Sequence, residues 1–153
     1  AVQFTLPGSP MIWYGDEAGM WGSDDPFDRK PMIWREQQPY DDKDSTFMDD
    51  IYNHYRTLAR IKTSYPQLKE GSFSNVLVDD KNKVYAFSMT RKNKIAIVAV
   101  NNSNKSAGAT ITAPLADNTE LTEMLSENKI YKVRNGSIKL TLPPKTAKIL
   151  VQK

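Results

Sequence analysis

The sequence contains no cysteine, one histidine and no long apolar run. Without cysteine, the 153-residue chain has no disulfide and no thiolate metal site. No stretch approaches the roughly 20 consecutive apolar residues of a membrane-spanning helix, so a membrane is not an expected partner. The sequence also lacks the Gly-rich phosphate loop of P-loop enzymes and the G-x-S-x-G motif of hydrolases with a serine nucleophile. These absences exclude several common enzyme classes.

The composition is that of a soluble globular protein, with 39% hydrophobic and 25% charged residues. The length suits one domain, or one small domain with a piece of another. The net charge of +3 is spread over loops of mixed sign, without a basic stripe interleaved with aromatics. Nucleic acid is therefore not an expected partner. Composition leaves the cellular compartment open.

The first third of the chain has the pattern of an α/β protein. Residues 1–6 resemble the last turn of a helix that Gly8 ends, so we expect the sequence to begin inside a longer protein. Residues 11–14, Met-Ile-Trp-Tyr, are typical of a strand buried on both faces, as in a parallel sheet. Residues 16–46 have no helical or alternating period, which predicts one long ordered loop.

A helix is predicted over residues 46–65, where apolar residues recur at helical spacing. Thr46 is the expected N-cap, with Asp49 in the position of a weak capping box, and Pro66 ends the helix. His54, the only histidine, lies on the predicted apolar stripe of this helix. A single histidine without a second metal-ligating partner is interpreted as structural.

Past Gly71 the apolar period changes to two, which predicts strands. Alternating runs occur at residues 84–90, 138–142 and 147–151, and residues 95–100 form a continuously apolar run. Asn135-Gly136 between alternating residues predicts a hairpin. The segment from about Ser72 to Lys153 is therefore predicted to be an antiparallel sandwich of roughly seven to eight strands.

The acidic residues of the long loop have different expected roles. Asp16 and Glu17 are adjacent at the end of the predicted strand, so their side chains leave on opposite faces and cannot form an acid and base pair. We expect them to hydrogen-bond to backbone amides of the loop. Two further acidic groups lack the spacing of a calcium loop: Asp24, Asp25 and Asp28, and then Asp41, Asp42 and Asp44. We interpret both groups as turn formers, and the negative charge of the second group also suits the N-terminus of the helix that follows.

Asp25 and Arg29 are candidates for binding a sugar. They follow the predicted strand, at the edge of the sheet where the binding sites of α/β proteins lie. A carboxylate beside a guanidinium can form hydrogen bonds with the vicinal hydroxyls of a sugar. A loop salt bridge is the alternative for this pair. Trp13, Trp21 and Trp34 have a similar ambiguity, because a Trp face suits a pyranose ring but an aromatic near a strand is more often core.

Residues 7–34 carry a long motif: P-G-x-P-x-I, then Y-G-D-E-x-G-M, then D-P-x-x-R-K-P-M-x-W. This motif resembles the last barrel strand and following loop of the alpha-amylase superfamily of glycoside hydrolases, especially its neopullulanase, cyclomaltodextrinase and maltogenic-amylase branch. The resemblance continues through "YRTLARIKTSYPQLKEG", similar to the final barrel helix, and "VYAFSMTRKNKIAIVAVNNSN", similar to the first strands of the C-terminal β domain.

The resemblance implies roles for particular residues. It makes Asp25 and Arg29 a substrate-binding pair for a glucose unit on the non-reducing side of the cleavage point. Trp21 is assigned with them as a substrate-binding residue, because its face suits a pyranose ring. The resemblance makes Asp16 and Glu17 supporting residues. The family's nucleophilic Asp, acid Glu and second stabilising Asp lie on earlier strands and have no counterpart here, so no catalytic residue is assigned. Trp13 replaces a common Tyr, and Met89 replaces a frequent Arg, so no polar contact is carried over to Met89.

The expected architecture is therefore an α/β fragment, the last strand and helix of a TIM barrel in residues 1–70, followed by an all-β antiparallel Greek-key-type sandwich in residues 71–153. The expected function is the C-terminal part of a retaining hydrolase of α-1,4-glucans such as starch, maltooligosaccharides, cyclodextrins or pullulan. No cofactor or metal is assigned to this chain, and the resemblance leaves calcium in the parent open. The alternative is a non-catalytic carbohydrate-binding or structural β-sandwich module.

The expected partners are a maltooligosaccharide or other starch-derived glucan and the rest of the parent barrel. A parallel strand without neighbours exposes two edges and two apolar faces. We therefore expect the free chain to self-associate, or residues 1–45 to be poorly ordered, unless a partner covers them.

Overall fold

The computed structural model describes residues 1–42, 45–126 and 128–153. Their contacts divide them into two compact units: Pro10–Arg60, and Ala1–Ser9 together with Ile61–Lys153. The domain boundary between residues 70 and 71 stays a prediction. None of the helices in these residues has the length and apolar character needed to cross a membrane.

The unit Pro10–Arg60 forms no strand among its described residues, so the strand predicted at residues 11–14 is wrong for this structure. Met11 is 74% exposed and Trp13 is 62% exposed, whereas burial on both faces was expected. The physical reason is that a strand is stabilised by hydrogen bonds to a neighbouring strand, which these residues do not have in this structure. Apolar composition without a ladder leaves the segment extended and exposed.

In its described residues, the predicted long loop of residues 16–46 is confirmed to contain no strand or α-helix, and it contains three short 3-10 helices: Asp16–Ala18, Phe27–Arg29 and Arg35–Gln37. The first is bracketed by Gly15 and Gly19 at φ of 92° and 75°, a backbone conformation that glycine adopts without strain. A side chain on Gly15 would also lie 2.7 Å from the sulfur of Met20. These glycines are therefore required by the tight fold of the loop.

Three α-helices occur in the described residues: α1 (Val2–Thr5), α2 (Asp49–Ser64) and α3 (Pro66–Glu70). The predicted helical turn at the start is confirmed by α1. Helix α2 begins three residues later than predicted, and Thr46 is not its N-cap. The backbone N–H of Tyr52 donates to the carbonyl of Met48 at 3.0 Å, which places Met48 at the cap, since the N-cap carbonyl accepts the first intrahelical bond.

The ends of α2 follow from its sequence. Asp49 and Asp50 lie in its first turn, where negative charge complements the helix dipole. Asp42, before the helix, accepts a hydrogen bond from the Ser45 hydroxyl at 3.0 Å, as a turn former would. Asp44 lies outside the described residues. Pro66 separates α2 from α3 as predicted and occupies the first turn of α3, a position that tolerates proline.

Residues 72–151 form a mostly antiparallel β domain, which confirms the predicted class of this segment. The eight strands in the described residues are β1 (Ser72–Asp79), β2 (Val84–Arg91), β3 (Lys94–Asn101), β4 (Ala107–Thr112), β5 (Glu120–Glu123), β6 (Ile130–Lys132), β7 (Ser137–Leu142) and β8 (Thr146–Val151). They form a six-stranded sheet in the order β1-β2-β3-β8-β5-β6 and a two-stranded sheet β4-β7. Strand β8 thus returns to lie between β3 and β5.

The core lies between the two sheets. It contains the alternating residues of β7, namely Ile138, Leu140 and Leu142, all buried as predicted. From the larger sheet it receives Val84, Ala86, Ile95, Ile97, Ala99, Leu121 and Leu150. Phe87 and Met89 are also fully buried but lie outside this cluster, since successive side chains of a strand point to opposite faces. Helix α3 contacts β2 and β3, which are therefore buried on both faces.

Two buried polar side chains join distant parts of this unit. Asn101 is 1% exposed, and its amide nitrogen donates to the carbonyls of Lys105, Leu142 and Pro143 at 2.8 to 3.0 Å. The ammonium of Lys62 donates to the carbonyls of Leu6 at 3.0 Å and Leu68 at 2.7 Å. Burial lowers the pKa of Lys62. Each side chain satisfies carbonyls that would otherwise be costly to bury.

We predict that Asn101→Ala lowers the free energy of unfolding by about 2 kcal/mol, because it removes a buried amide that donates to carbonyls of two separate segments. Urea unfolding monitored by circular dichroism measures this change. The exposed Asn104, on the same turn, is the matched control, and Asn104→Ala should change stability by less than about 0.5 kcal/mol. Equal effects of the two substitutions would contradict the role given to Asn101.

Candidate functional site

Asp16 and Glu17 support the backbone of the first loop turn. The backbone N–H of Trp13 donates to Oδ2 of Asp16 at 3.2 Å, and the N–H of Gly15 donates to Oε2 of Glu17 at 3.1 Å. The prediction that these carboxylates bond to backbone amides is confirmed. They lie on a 3-10 helix and not at the end of a strand, so their geometry follows from the turn.

Both carboxylates also act on Tyr55 of α2. The pKa of Tyr55 is raised above its ordinary value by burial first, and then by the negative charges of Asp16 and Glu17. The neighbouring His54, which the sequence places on the apolar stripe of the helix, is exposed in this structure. Within the unit Pro10–Arg60, Leu58 is the buried residue of α2. Only part of the apolar stripe that the spacing predicts is therefore buried in this structure.

The structure brings Asp25 and Arg29 together. Nε of Arg29 lies 3.0 Å from Oδ1 of Asp25, and Nη2 lies 3.4 Å from Oδ2, so the guanidinium spans both carboxylate oxygens. Their side chains are 60% and 74% exposed, respectively. An exposed pair of this kind contributes little to stability. Its carboxylate and its remaining guanidinium donors are nevertheless accessible to a ligand from solvent.

The turn that holds this pair is formed locally. The N–H of Asp25 donates to the side chain of Asp24 at 2.8 Å, and the N–H of Phe27 donates to the Asp24 carbonyl at 2.7 Å. The Asp25-Pro26 peptide is cis. Asp24 is therefore a turn former, as predicted. Within the described residues, no cluster of three or more acidic or histidine side chains could hold a metal ion.

The three tryptophans are all exposed, by 62% for Trp13, 60% for Trp21 and 52% for Trp34. The alternative that places Trp13 and Trp21 in the core is therefore wrong for this structure, because no strand forms to bury them. The ammonium of Lys30 lies 5.0 Å from the ring centroid of Trp21, a cation–π contact. The hydroxyl of Tyr14 donates to the Lys30 carbonyl at 3.0 Å and holds the base of this segment.

A groove of about 460 Å³ opens beside these rings. It is lined by Trp13, Tyr14, Asp16, Met20, Trp21, Gly22, Phe27 and Asp28. Aromatic faces together with carboxylate acceptors form the kind of surface that receives a sugar ring. Of the predicted site residues, Trp21 lines the groove. Asp25 and Arg29 belong to the same loop but do not line the groove.

Phe27, Asp28 and Lys30 were not predicted as site residues. Phe27 is 62% exposed although it is a large apolar residue. The signal that could have identified them is their position inside the D-P-x-x-R-K motif, where every side chain projects from one tight turn. Periodicity gives no information there, because the segment is irregular.

Comparison with known proteins places the chain in a family. The Alpha-amylase C-terminal domain family matches residues 71–150. The chain is 33% identical to the beta/alpha-amylase of Paenibacillus polymyxa, covering 99% of this chain and 12% of that protein. It is 29% identical to neopullulanase 2 of Thermoactinomyces vulgaris, covering 97% of this chain and 24% of that protein.

A solved cyclomaltodextrinase structure is similar to the whole chain. It has a TM-score of 0.80 and 25% identity, covering 97% of this chain and 24% of that structure. The chain therefore spans a quarter or less of the length of these relatives. Neopullulanases and cyclomaltodextrinases are the enzymes that the sequence motif resembles.

We predict that Asp16→Asn lowers the pKa of Tyr55, because removing a negative charge makes the phenolate less unfavourable. NMR titration of isotope-labelled tyrosine rings measures this pKa. The matched control is Asp28→Asn, which changes a carboxylate of the same loop that does not contribute to the pKa shift of Tyr55. A Tyr55 pKa that stays at the wild-type value in Asp16→Asn would contradict the proximity of the two groups.

Proposed function

The chain belongs to the Alpha-amylase C-terminal domain family, and we propose that it is the C-terminal part of a retaining hydrolase of α-1,4-glucans. The parent acts on starch-derived oligosaccharides, cyclodextrins or pullulan. Its nucleophilic Asp and acid Glu stand about 5 Å apart on earlier strands, as retention requires. This chain contributes one substrate-binding loop and a stabilising β domain, and has no hydrolase activity by itself.

Residues 1–70 are proposed to be the last strand, loop and helix of the parent's TIM barrel. The exposure of residues 11–14 supports this proposal. Ile12 is 40% exposed and Tyr14 is 45% exposed, although the run has the composition of a strand buried on both faces. Neighbouring barrel strands would supply the hydrogen-bond ladder of a sheet and would cover these side chains. The rest of the parent barrel is thus the proposed partner of this segment.

The Asp25–Arg29 pair is the observation that carries the proposed binding function. The guanidinium spans both carboxylate oxygens, and both groups are exposed. Vicinal sugar hydroxyls can donate to the carboxylate and accept from the guanidinium at the same time. Trp21 lies on the same loop, with Lys30 against its ring, and offers an apolar platform for a pyranose.

The β domain is proposed to stabilise the parent and to bind little glucan. All three tryptophans lie before it in the sequence. Phe87 and Met89 are completely buried, and the hydroxyl of Tyr85 is bonded to Asn75 at 2.6 Å. These three side chains are thus engaged in packing or hydrogen bonding and are not displayed as sugar platforms.

We predict that maltotriose binds the chain weakly, with a dissociation constant of about 1 mM, and changes the tryptophan fluorescence. Arg29→Ala should weaken binding on the order of tenfold, because it removes charged donors to the sugar. The matched control is Arg56→Ala, an exposed arginine of α2 in the same unit, which should bind as the wild type does.

Equal affinities of Arg29→Ala and the wild type, or no binding by the wild type, would overturn the assignment of this loop. The same samples should release no reducing sugar from maltotriose. Measurable release would show that this chain holds its own catalytic carboxylates.

A further inference from the structure

The turn at Asn135 and Gly136 connects the two sheets of the β domain. Asn135 and Gly136 have φ of 48° and 66°, as in the two-residue turns for which Asn-Gly is preferred. The N–H of Arg134 donates to the carbonyl of Ser137 at 2.9 Å, and the reverse bond is 3.0 Å. The predicted tight turn is therefore confirmed, but the strand pairing of a hairpin is limited to the single bridge between Arg134 and Ser137. Strand β6 before it belongs to the larger sheet and β7 after it to the smaller.

The same dipeptide is the chemical substrate of spontaneous deamidation. The backbone nitrogen of Gly136 can attack the side-chain amide carbon of Asn135, because glycine has no side chain to obstruct the approach. A bond from the Gly136 nitrogen to Cγ forms and the Cγ–Nδ2 bond breaks. The amide proton of Gly136 leaves with Nδ2 as ammonia. Water then opens the resulting succinimide at either carbonyl, which gives aspartate or isoaspartate.

Accessibility does not protect this site. Asn135 is exposed, and a Cβ built on Gly136 would meet no atom within 4 Å. Water and hydroxide, the only co-reactants required, therefore reach both residues. Any protection must come from the way in which the attacking nitrogen is held.

The backbone nitrogen of Gly136 is hydrogen-bonded to a carboxylate. The N–H of Gly136 donates to Oδ1 of Asp117 at 3.0 Å, and the Gly136 carbonyl accepts from the N–H of Ala113 at 3.1 Å. Backbone hydrogen bonds from Gly136 and then Asn135 hold the pKa of Asp117 below its ordinary value, so it is charged at neutral pH. A fixed anion beside the nitrogen opposes loss of the N–H proton, on which the attack depends.

We propose that Asn135-Gly136 is a deamidation site and that the Asp117 carboxylate restrains its reaction in the folded protein. Isoaspartate at residue 135 adds one carbon to the main chain of a two-residue turn and places a second carboxylate near Asp117. The turn then no longer matches the paired bonds between Arg134 and Ser137. Deamidation therefore weakens the connection between the two sheets.

The test compares the folded chain with variants and with the unfolded chain, by peptide mass spectrometry and enzymatic methylation of isoaspartate. The samples are incubated at neutral pH and physiological temperature. Asp117→Ala should raise the deamidation rate of Asn135 on the order of tenfold, the effect of losing one charged hydrogen bond. The matched control is Asp80→Ala, an exposed acid in the β1–β2 turn, which should deamidate at the wild-type rate.

Two further measurements keep the test decisive if Asp117→Ala folds poorly. Asp117→Asn keeps an acceptor but removes the charge, and should give an intermediate rate. The folded wild type should react more slowly than the same chain in urea, with slow hydrogen exchange at the Gly136 amide. A folded Asp117→Ala variant that reacts at the wild-type rate, or a folded wild type that reacts as fast as the unfolded chain, would overturn the proposal.

Discussion

The antiparallel hydrogen-bond ladder of β2, β3 and β8 is the interaction on which the rest of this structure depends. Ala86 pairs with Ala99, and Val98 pairs with Ile149, so the three strands run in continuous register. Strand β3 is paired with β2 on one side and with β8 on the other, which permits its burial on both faces. The smaller sheet then covers one face, and α3 lies against β2 and β3.

The segment of residues 11–14 shows what happens when the same composition has no ladder. Its side chains are apolar, but no strand forms in this structure and they remain exposed. Helix α2 forms in the same unit because a helix satisfies its backbone groups within its own segment. Because of this difference, the helix forms without neighbouring elements, whereas a strand needs neighbouring strands. We propose that the parent barrel supplies them.

Features with local causes could be predicted from the sequence. The alternation of Ile138, Leu140 and Leu142 predicted β7, and the Asn-Gly dipeptide predicted the turn before it. The four-residue spacing of Asp25 and Arg29 made their contact predictable, as did the short reach of Asp16 and Glu17 to nearby amides. In each case the interacting groups lie within a few residues of one another.

Features with distant causes could not be predicted in this way. Asn101 was not identified as a buried hydrogen-bond centre, because one of its acceptors lies 41 residues away. The exposure of Trp13 and Trp21 was missed because it depends on whether neighbouring strands are present. The start of α2 was misplaced because both Thr46 and Met48 precede an acidic first turn, and the tertiary bond from Met48 to Ala18 decides between them.

Strands β2 and β3 are paired within the β domain, whereas we propose that residues 11–14 pair with strands of the parent barrel. Native-state hydrogen exchange measures this directly, residue by residue. We expect amides of β2 and β3 to exchange only through global unfolding, and those of Ile12 and Tyr14 to exchange near the rate of an unfolded peptide. Protection of Ile12 and Tyr14 equal to that of β3 in a monodisperse monomer would contradict this expectation.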